Sequence, residues 1–106
     1  MHYKVKWNNK AIEDVENIID WIKKDSEFQA NRVGIAIIDL ANDIPRHPLI
    51  GHIVPEIKDD NLRFRIIYGR RMIYEIRGDL VIIKRIISCK MDFLREYSKD
   101  NWEDVV

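Results

Sequence analysis

The chain contains a single cysteine, Cys89, among 106 residues. No internal disulfide can form and no thiol-rich metal framework exists, which matches a reducing compartment. Glycine and proline are equally sparse: there are four glycines and three prolines, and every proline falls between positions 45 and 55, so irregular backbone is concentrated in one place. Long apolar runs are missing as well. Stretches such as Val81-Ile82-Ile83 are far too short to span a bilayer, and the opening MHYKVKW has no basic, then apolar, then small-residue leader pattern. A cytoplasmic protein without a membrane partner is expected. Net charge is zero, so whole-protein attraction to nucleic acid or lipid is absent. What remains, 46% hydrophobic and 34% charged residues, predicts one globular domain over 1–106, with a tail from about 93.

Zero net charge conceals two halves of opposite sign. Residues 11–44 carry eight acids against three bases, and residues 61–90 carry eight bases against two acids, Glu75 and Asp79. Segregation of this kind leaves a local positive surface able to meet phosphate or an acidic protein. The competing reading is mutual neutralisation across the fold.

Hydrophobic periodicity gives the order of elements. Tyr3, Val5 and Trp7 alternate with Lys4 and Lys6, the pattern of a half-buried strand. Asn8 and Asn9 offer an N-cap to a helix over 10–24 whose stripe is Ile12, Val15, Ile18, Ile19 and Ile22. Ser26 to Gln29 has the form of a capping box, and it opens a second helix with Ala30, Val33, Ile37, Leu40, Ala41 and Ile44 inward, ending before Pro45. Residues 45–61 form a loop that Leu49, Ile50, Ile53, Val54 and Ile57 are available to pin down. Three strands follow, at about 62–68, 71–77 and 80–88, and the tail forms a short helix with Phe93, Leu94 and Tyr97 on its apolar side. The fold class is α+β: an N-terminal strand and an antiparallel helix hairpin packed on one face of a mainly antiparallel four-stranded sheet, closed by a short C-terminal helix.

Turn chemistry then sets the faces. Gly78-Asp79 is a type II′ signature that pairs Arg77 with Leu80, Glu75 with Ile82, Ile73 with Lys84 and Arg71 with Ile86. Met72, Tyr74, Ile76, Val81, Ile83 and Ile87 share the face for the helices. A two-residue loop at Gly69-Arg70 would add Arg63 and Arg65 to that core side, at a cost of several kcal/mol for each unpaired guanidinium. An odd loop, Tyr68-Gly69-Arg70, is therefore expected, so that Phe64 and Ile66 join the core. Arg63, Arg65, Arg71, Arg77 and Lys84 then share an open face. Arg85 is left on the core side, where an acid of the first helix or the sheet edge must receive it. Open-face arginines suit planar, bidentate recognition of phosphate or carboxylate, and a solvated face paired to Glu75 is the plainer alternative.

Other groupings are weaker. His47 and His52 sit five apart in a loop without cysteine, which suits surface histidines better than zinc. Cys89 reads as a small buried residue, and Trp7 and Trp21 as core aromatics. Trp102 in the tail docks on the body or is freed by a partner, and fraying is expected beyond it.

The order strand, helix, helix, loop, three strands resembles the RelE/ParE superfamily of type II toxin-antitoxin toxins, over roughly residues 3–92. Val54-Pro55-Glu56, Leu62-Arg63, Arg71-Met72-Ile73-Tyr74, Gly78-Asp79, Val81-Ile82-Ile83 and Arg85-Ile86-Ile87 are similar to the ParE-like branch. Arg70 stands where that branch commonly has tyrosine, and Ser88-Cys89-Lys90-Met91-Asp92 replaces its histidine, glycine and two arginines before aspartate. The resemblance implies a toxin that aids plasmid stabilisation and inhibits growth by binding DNA gyrase, with no cofactor or metal, held by a cognate antitoxin as a hetero-oligomer or forming a homodimer. Its target-binding residues would be Arg63, Arg65, Arg71, Arg77, Lys84 and Lys90. The alternative is a RelE-like endoribonuclease acting on ribosome-bound mRNA, with Arg63, Arg65, Arg71, Lys84, Lys90 and Tyr97 as catalytic groups. A lysine or tyrosine that titrates near ~10 is a poor acid-base pair without tuning. A non-toxic remnant that binds only its antitoxin is the third reading.

Overall fold

Asn8 starts the first helix by turning its side chain onto the backbone, where Oδ1 accepts from the Ala11 amide at 3.0 Å. That amide has no partner within the helix itself. In the computed structural model, which describes residues 2–100 and only the backbone of 98–100, helix α1 runs Asn9–Lys23 and α2 runs Glu27–Asp43. Ser26 Oγ caps α2 by accepting from Gln29 N at 3.1 Å. The α2 stripe is buried as expected, through Ala30, Val33, Ile37 and Ala41, while on α1 Ala11 and Ile18 are buried and Ile12 is exposed. Two tight 3-10 turns, Ile44–Arg46 and Pro48–Ile50, follow in the proline-rich loop.

The strands are β1 (Lys4–Trp7), β2 (His52–Ile53), β3 (Leu62–Ile67), β4 (Arg70–Arg77) and β5 (Leu80–Ser88), and α3 spans Phe93–Asp100. They form one sheet ordered β1-β5-β4-β3-β2, with β1 parallel to β5 and the remaining pairs antiparallel. The α+β class stands. The strand count rises from four to five, because His52–Ile53 of the loop pairs with Phe64 and Arg63.

Two details of register differ from expectation. The β3–β4 loop holds two residues, Tyr68 and Gly69, with Ile67 paired to Arg70. Both sit in the left-handed region, at φ 48° and 72°, as a type I′ turn requires. Arg63 and Arg65 therefore pair with Tyr74 and Met72 on the helix side of the sheet, and Phe64 and Ile66 pair with Ile73 and Arg71 on the other. This inverts the expected faces of β3, and Arg70 belongs to a strand rather than a turn. The second change is a bulge in the β4–β5 ladder between Ile73 and Tyr74. Beyond it Ile73 pairs with Arg85 instead of Lys84, and Arg71 with Ile87 instead of Ile86. Ile86 thereby joins the helix-side core and Ile87 leaves it.

The cause of the inversion is that the sheet is apolar on both faces. Met72, Tyr74, Val81, Ile83 and Ile86 pack beneath the helices. On the opposite face Leu62, Ile73 and Ile87 pack with Val54 of the loop and Phe93 of α3. Three further expectations are corrected. Trp21, one position off the stripe residue Ile22, is 68% exposed with the Lys24 ammonium 5.4 Å from its ring centroid, whereas Trp7 packs on the core as expected. Cys89 lies just past the end of β5 and is exposed. Leu94 is exposed too, leaving Phe93 as the buried anchor of α3. Trp102 and the chain beyond it lie outside the described residues.

Candidate functional site: the second face of the sheet

Register places Arg71, Glu75 and Arg77 on the face turned away from the helices, and Lys84, at the bulge, joins them through Glu75. At its centre Glu75 takes both Arg77, Nε to Oε2 at 3.0 Å, and Lys84, Nζ to Oε1 at 3.3 Å. Lys84 is almost wholly buried, and Arg77 is half exposed. Because β1 lies against β5 with Lys4 beside Leu80 and Lys6 beside Ile82, these two exposed lysines extend the same face. Sequence reasoning missed them. The alternation of KVKW was legible, but the parallel pairing that brings it beside LVIIK spans more than seventy residues, and nothing local encodes it.

Arg71 marks the other end of the face. Its guanidinium carbon lies 4.9 Å from the Phe64 ring centroid and 5.5 Å from that of Phe93, and Nη1 donates to Glu56 Oε1 at 3.0 Å. That hydrogen bond holds the Glu56 carboxyl below its ordinary value of 4.5 against a smaller opposing effect of burial. Tyr97 stacks on Phe93 with centroids 5.7 Å apart. Lys90 is exposed beyond the end of β5.

Arg63 and Arg65 do not share this surface. Arg63 is spent on backbone carbonyls: Nε donates to Asp60 O at 2.8 Å, and Nη1 to Leu49 O and Gly51 O at 3.1 and 3.0 Å. Arg65 reaches Asp43 at the end of α2, at 4.0 Å. Neither enters the apolar core, because β3 lies near the sheet edge and the loop supplies acceptors there. Arg85 is received by the first helix, as one of the sequence alternatives required. Its Nε donates to Asp14 Oδ2 at 2.8 Å, and the same carboxylate accepts from Ile86 N at 2.9 Å. Alternation along β5 turns Arg85 to the helix side, and the bulge brings Ile86 there beside it.

His47 and His52 are exposed, and His52 leans on Phe64 with centroids 5.6 Å apart. Among the described residues no group of three or more metal-type side chains converges, and no helix is long and apolar enough to cross a membrane.

A cationic sheet face beside a helix hairpin is what known proteins can be compared with. A sequence comparison with curated proteins finds no significant match. Among solved structures, a chain of the chromosomal ParDE TA system from P. aeruginosa superposes with a TM-score of 0.68 at 18% identity, covering 82% of this chain and 96% of that one. This likeness concerns the fold. At the family level, residues 5–93 match the ParE toxin of type II toxin-antitoxin system, parDE, a stretch from β1 to the first residue of α3 that includes both faces of the sheet. The chain belongs to the ParE toxin family of type II toxin-antitoxin systems.

Proposed function

We propose that this toxin acts in the cytoplasm by binding rather than by catalysis, inhibiting DNA gyrase and growth, and that a cognate antitoxin neutralises it. The observation that carries the reading is the division of the candidate catalytic set between the two faces of the sheet. A ribonuclease must bring a base, an acid and charge-stabilising groups within hydrogen-bond reach of one phosphate. Here Arg63 and Arg65 lie on the helix side, engaged by carbonyls and by Asp43, while Arg71 and Lys84 lie on the other. The second face instead offers Lys4, Lys6 and Arg77 at the surface and Arg71 partly exposed, with Lys84 buried against Glu75 beneath them and Lys90 beyond the end of β5. Spread along the sheet rather than converging on a point, they suit electrostatic docking to an acidic protein surface.

The reading is tested by expressing the protein with and without the neighbouring small gene, then adding purified protein to gyrase supercoiling reactions and to ribosomes carrying mRNA. Arrest of growth, relief by the neighbour and inhibition of supercoiling are expected. Cleaved mRNA with normal supercoiling would overturn the reading in favour of the nuclease. The exposed triple variant Lys4→Glu, Lys6→Glu, Arg77→Glu should weaken inhibition by 10-fold or more, on the order of one steering-dominated interface.

A further inference from the structure

The segment from Ile44 to Val54 is fixed at four buried posts, Ile44, Pro48, Gly51 and Val54. Between the second and third stand Leu49 and Ile50, 68% and 62% exposed, and Ile53 follows at 37%. The bracing is unusually complete for a surface loop. Tyr74, buried beneath the helices, donates its hydroxyl to Pro48 O. Arg63 holds the Leu49 and Gly51 carbonyls. Gly51 comes so close to the Tyr74 ring that a Cβ there would lie 2.1 Å from the hydroxyl oxygen. Single exposed aliphatics need no explanation. Three of them within five positions, in backbone held rigid by a buried tyrosine and a dedicated arginine, form a preorganised apolar knob whose ordering cost is already met before any partner arrives.

We infer that the Leu49-Ile50-Ile53 knob is the anchor for the cognate antitoxin, which covers it with an apolar stripe flanked by carboxylates. This rests on the toxin-antitoxin reading above. Charge selects the chemistry of the rim: from Pro45 to Pro55 the chain has no acid, Arg46 is exposed, and the Arg63 guanidinium lies against the Leu49 and Gly51 carbonyls. Position separates the knob from the target surface. It sits at the β2 edge, whereas Lys4 and Lys6 sit on β1 at the opposite edge of the five-stranded sheet, roughly 19 Å away at about 4.8 Å per strand. Aliphatic burial suits a partner made together with the toxin and bound for long periods, and long-range charge suits capture of a target.

The test pairs the full-length protein with the product of the neighbouring small gene. Leu49→Asp with Ile50→Asp replaces two exposed side chains, so thermal unfolding should match the wild type, and Leu49→Ala with Ile50→Ala is the milder control. Affinity for the neighbour's product should fall by about 30-fold or more in the aspartate pair, the loss of a hot spot, while Lys4→Glu with Lys6→Glu leaves it nearly unchanged. In cells the aspartate pair should still arrest growth but escape rescue. Equal affinity of wild type and aspartate pair overturns the assignment. So does loss of growth arrest with antitoxin binding intact, which would give the knob to the target, or a wild-type dimer that the variant dissociates without loss of antitoxin affinity. A wild-type protein that fails to bind the neighbour's product at all overturns the pairing and this surface together.

Discussion

The two faces of the sheet are closed by different means. The helix side is covered by two capped helices whose stripes lock onto Met72, Tyr74, Val81 and Ile83, with one deeply placed ion pair, Arg85 to Asp14, tying α1 to the bulge. The other side has a smaller apolar cluster, sealed by Val54 and Phe93, and around it Lys4, Lys6 and Arg77 remain at the surface while Lys84 is buried against Glu75. The first face makes the fold cooperative. The second is closed only in part, and its uncovered remainder is where binding chemistry can reside.

The helix side depends most heavily on its ion pair. Asp14→Ala should destabilise by about 3–5 kcal/mol, because it removes a carboxylate that accepts from two nitrogens of a guanidinium 7% exposed and from Ile86 N. Replacing both partners with apolar residues, Asp14→Leu with Arg85→Met, should recover most of that loss in urea unfolding. A double variant as unstable as the single one would show that the pair is not what holds the helices to the bulge. Gly51→Ala comes next, at about 1–3 kcal/mol, since the new methyl must displace Tyr74 or the loop. Tyr74→Phe should cost somewhat less, about 1–2 kcal/mol, for the acceptor left at Pro48.

The faces should also titrate at opposite ends of the pH scale. Glu56 has a folded value below 4.5 because Arg71 donates to it, so its share of stability is complete above 4.5 and disappears as pH falls through the lowered value. Tyr74 is raised above 10.0, chiefly by burial. Its share is complete below 10.0 and is lost as pH climbs toward the raised value. Denaturant midpoints measured against pH should therefore lose acid sensitivity in Glu56→Gln and alkaline sensitivity in Tyr74→Phe. If both variants altered the same limb, the separation of the faces would be wrong.

How much of this was written in the sequence depends on range. Asn8 and Ser26 announced their helices, the α2 stripe was buried as its period required, and Gly78-Asp79 set the β4–β5 hairpin. Each of these signals lies within a few residues of its effect. The inverted β3 strand was not legible, because the argument against buried arginines presupposed a sheet with one apolar face. Once Val54 and Phe93 cover the second face, Phe64 is at home there, and Arg63 finds carbonyls twelve and fourteen residues away. The bulge was hidden too: alternation alone turned Arg85 inward, and only the shifted pairing brings Ile86 to the same side, where its amide and the Arg85 guanidinium share Asp14, seventy-one residues from Arg85.

The smallest effect tests the turn that misled. Tyr68 adopts φ 48°, a conformation that a bulky side chain holds at a cost and that asparagine tolerates. Asn-Gly is the strong two-residue hairpin signal, and Tyr-Gly conceals the same turn. Tyr68→Asn should therefore stabilise the protein by about 0.5 kcal/mol, seen as a higher urea midpoint with unchanged slope, provided the exposed ring contributes little packing, as its 53% exposure indicates. If the loop were three residues long with Arg70 inside it, asparagine at 68 would bring no such gain and Arg63 would face away from the Leu49 and Gly51 carbonyls. A stabilised Tyr68→Asn variant together with a destabilised Arg63→Ala variant would fix the register of β3, and with it the assignment of Arg63 as a strut of the knob rather than a member of the cationic face.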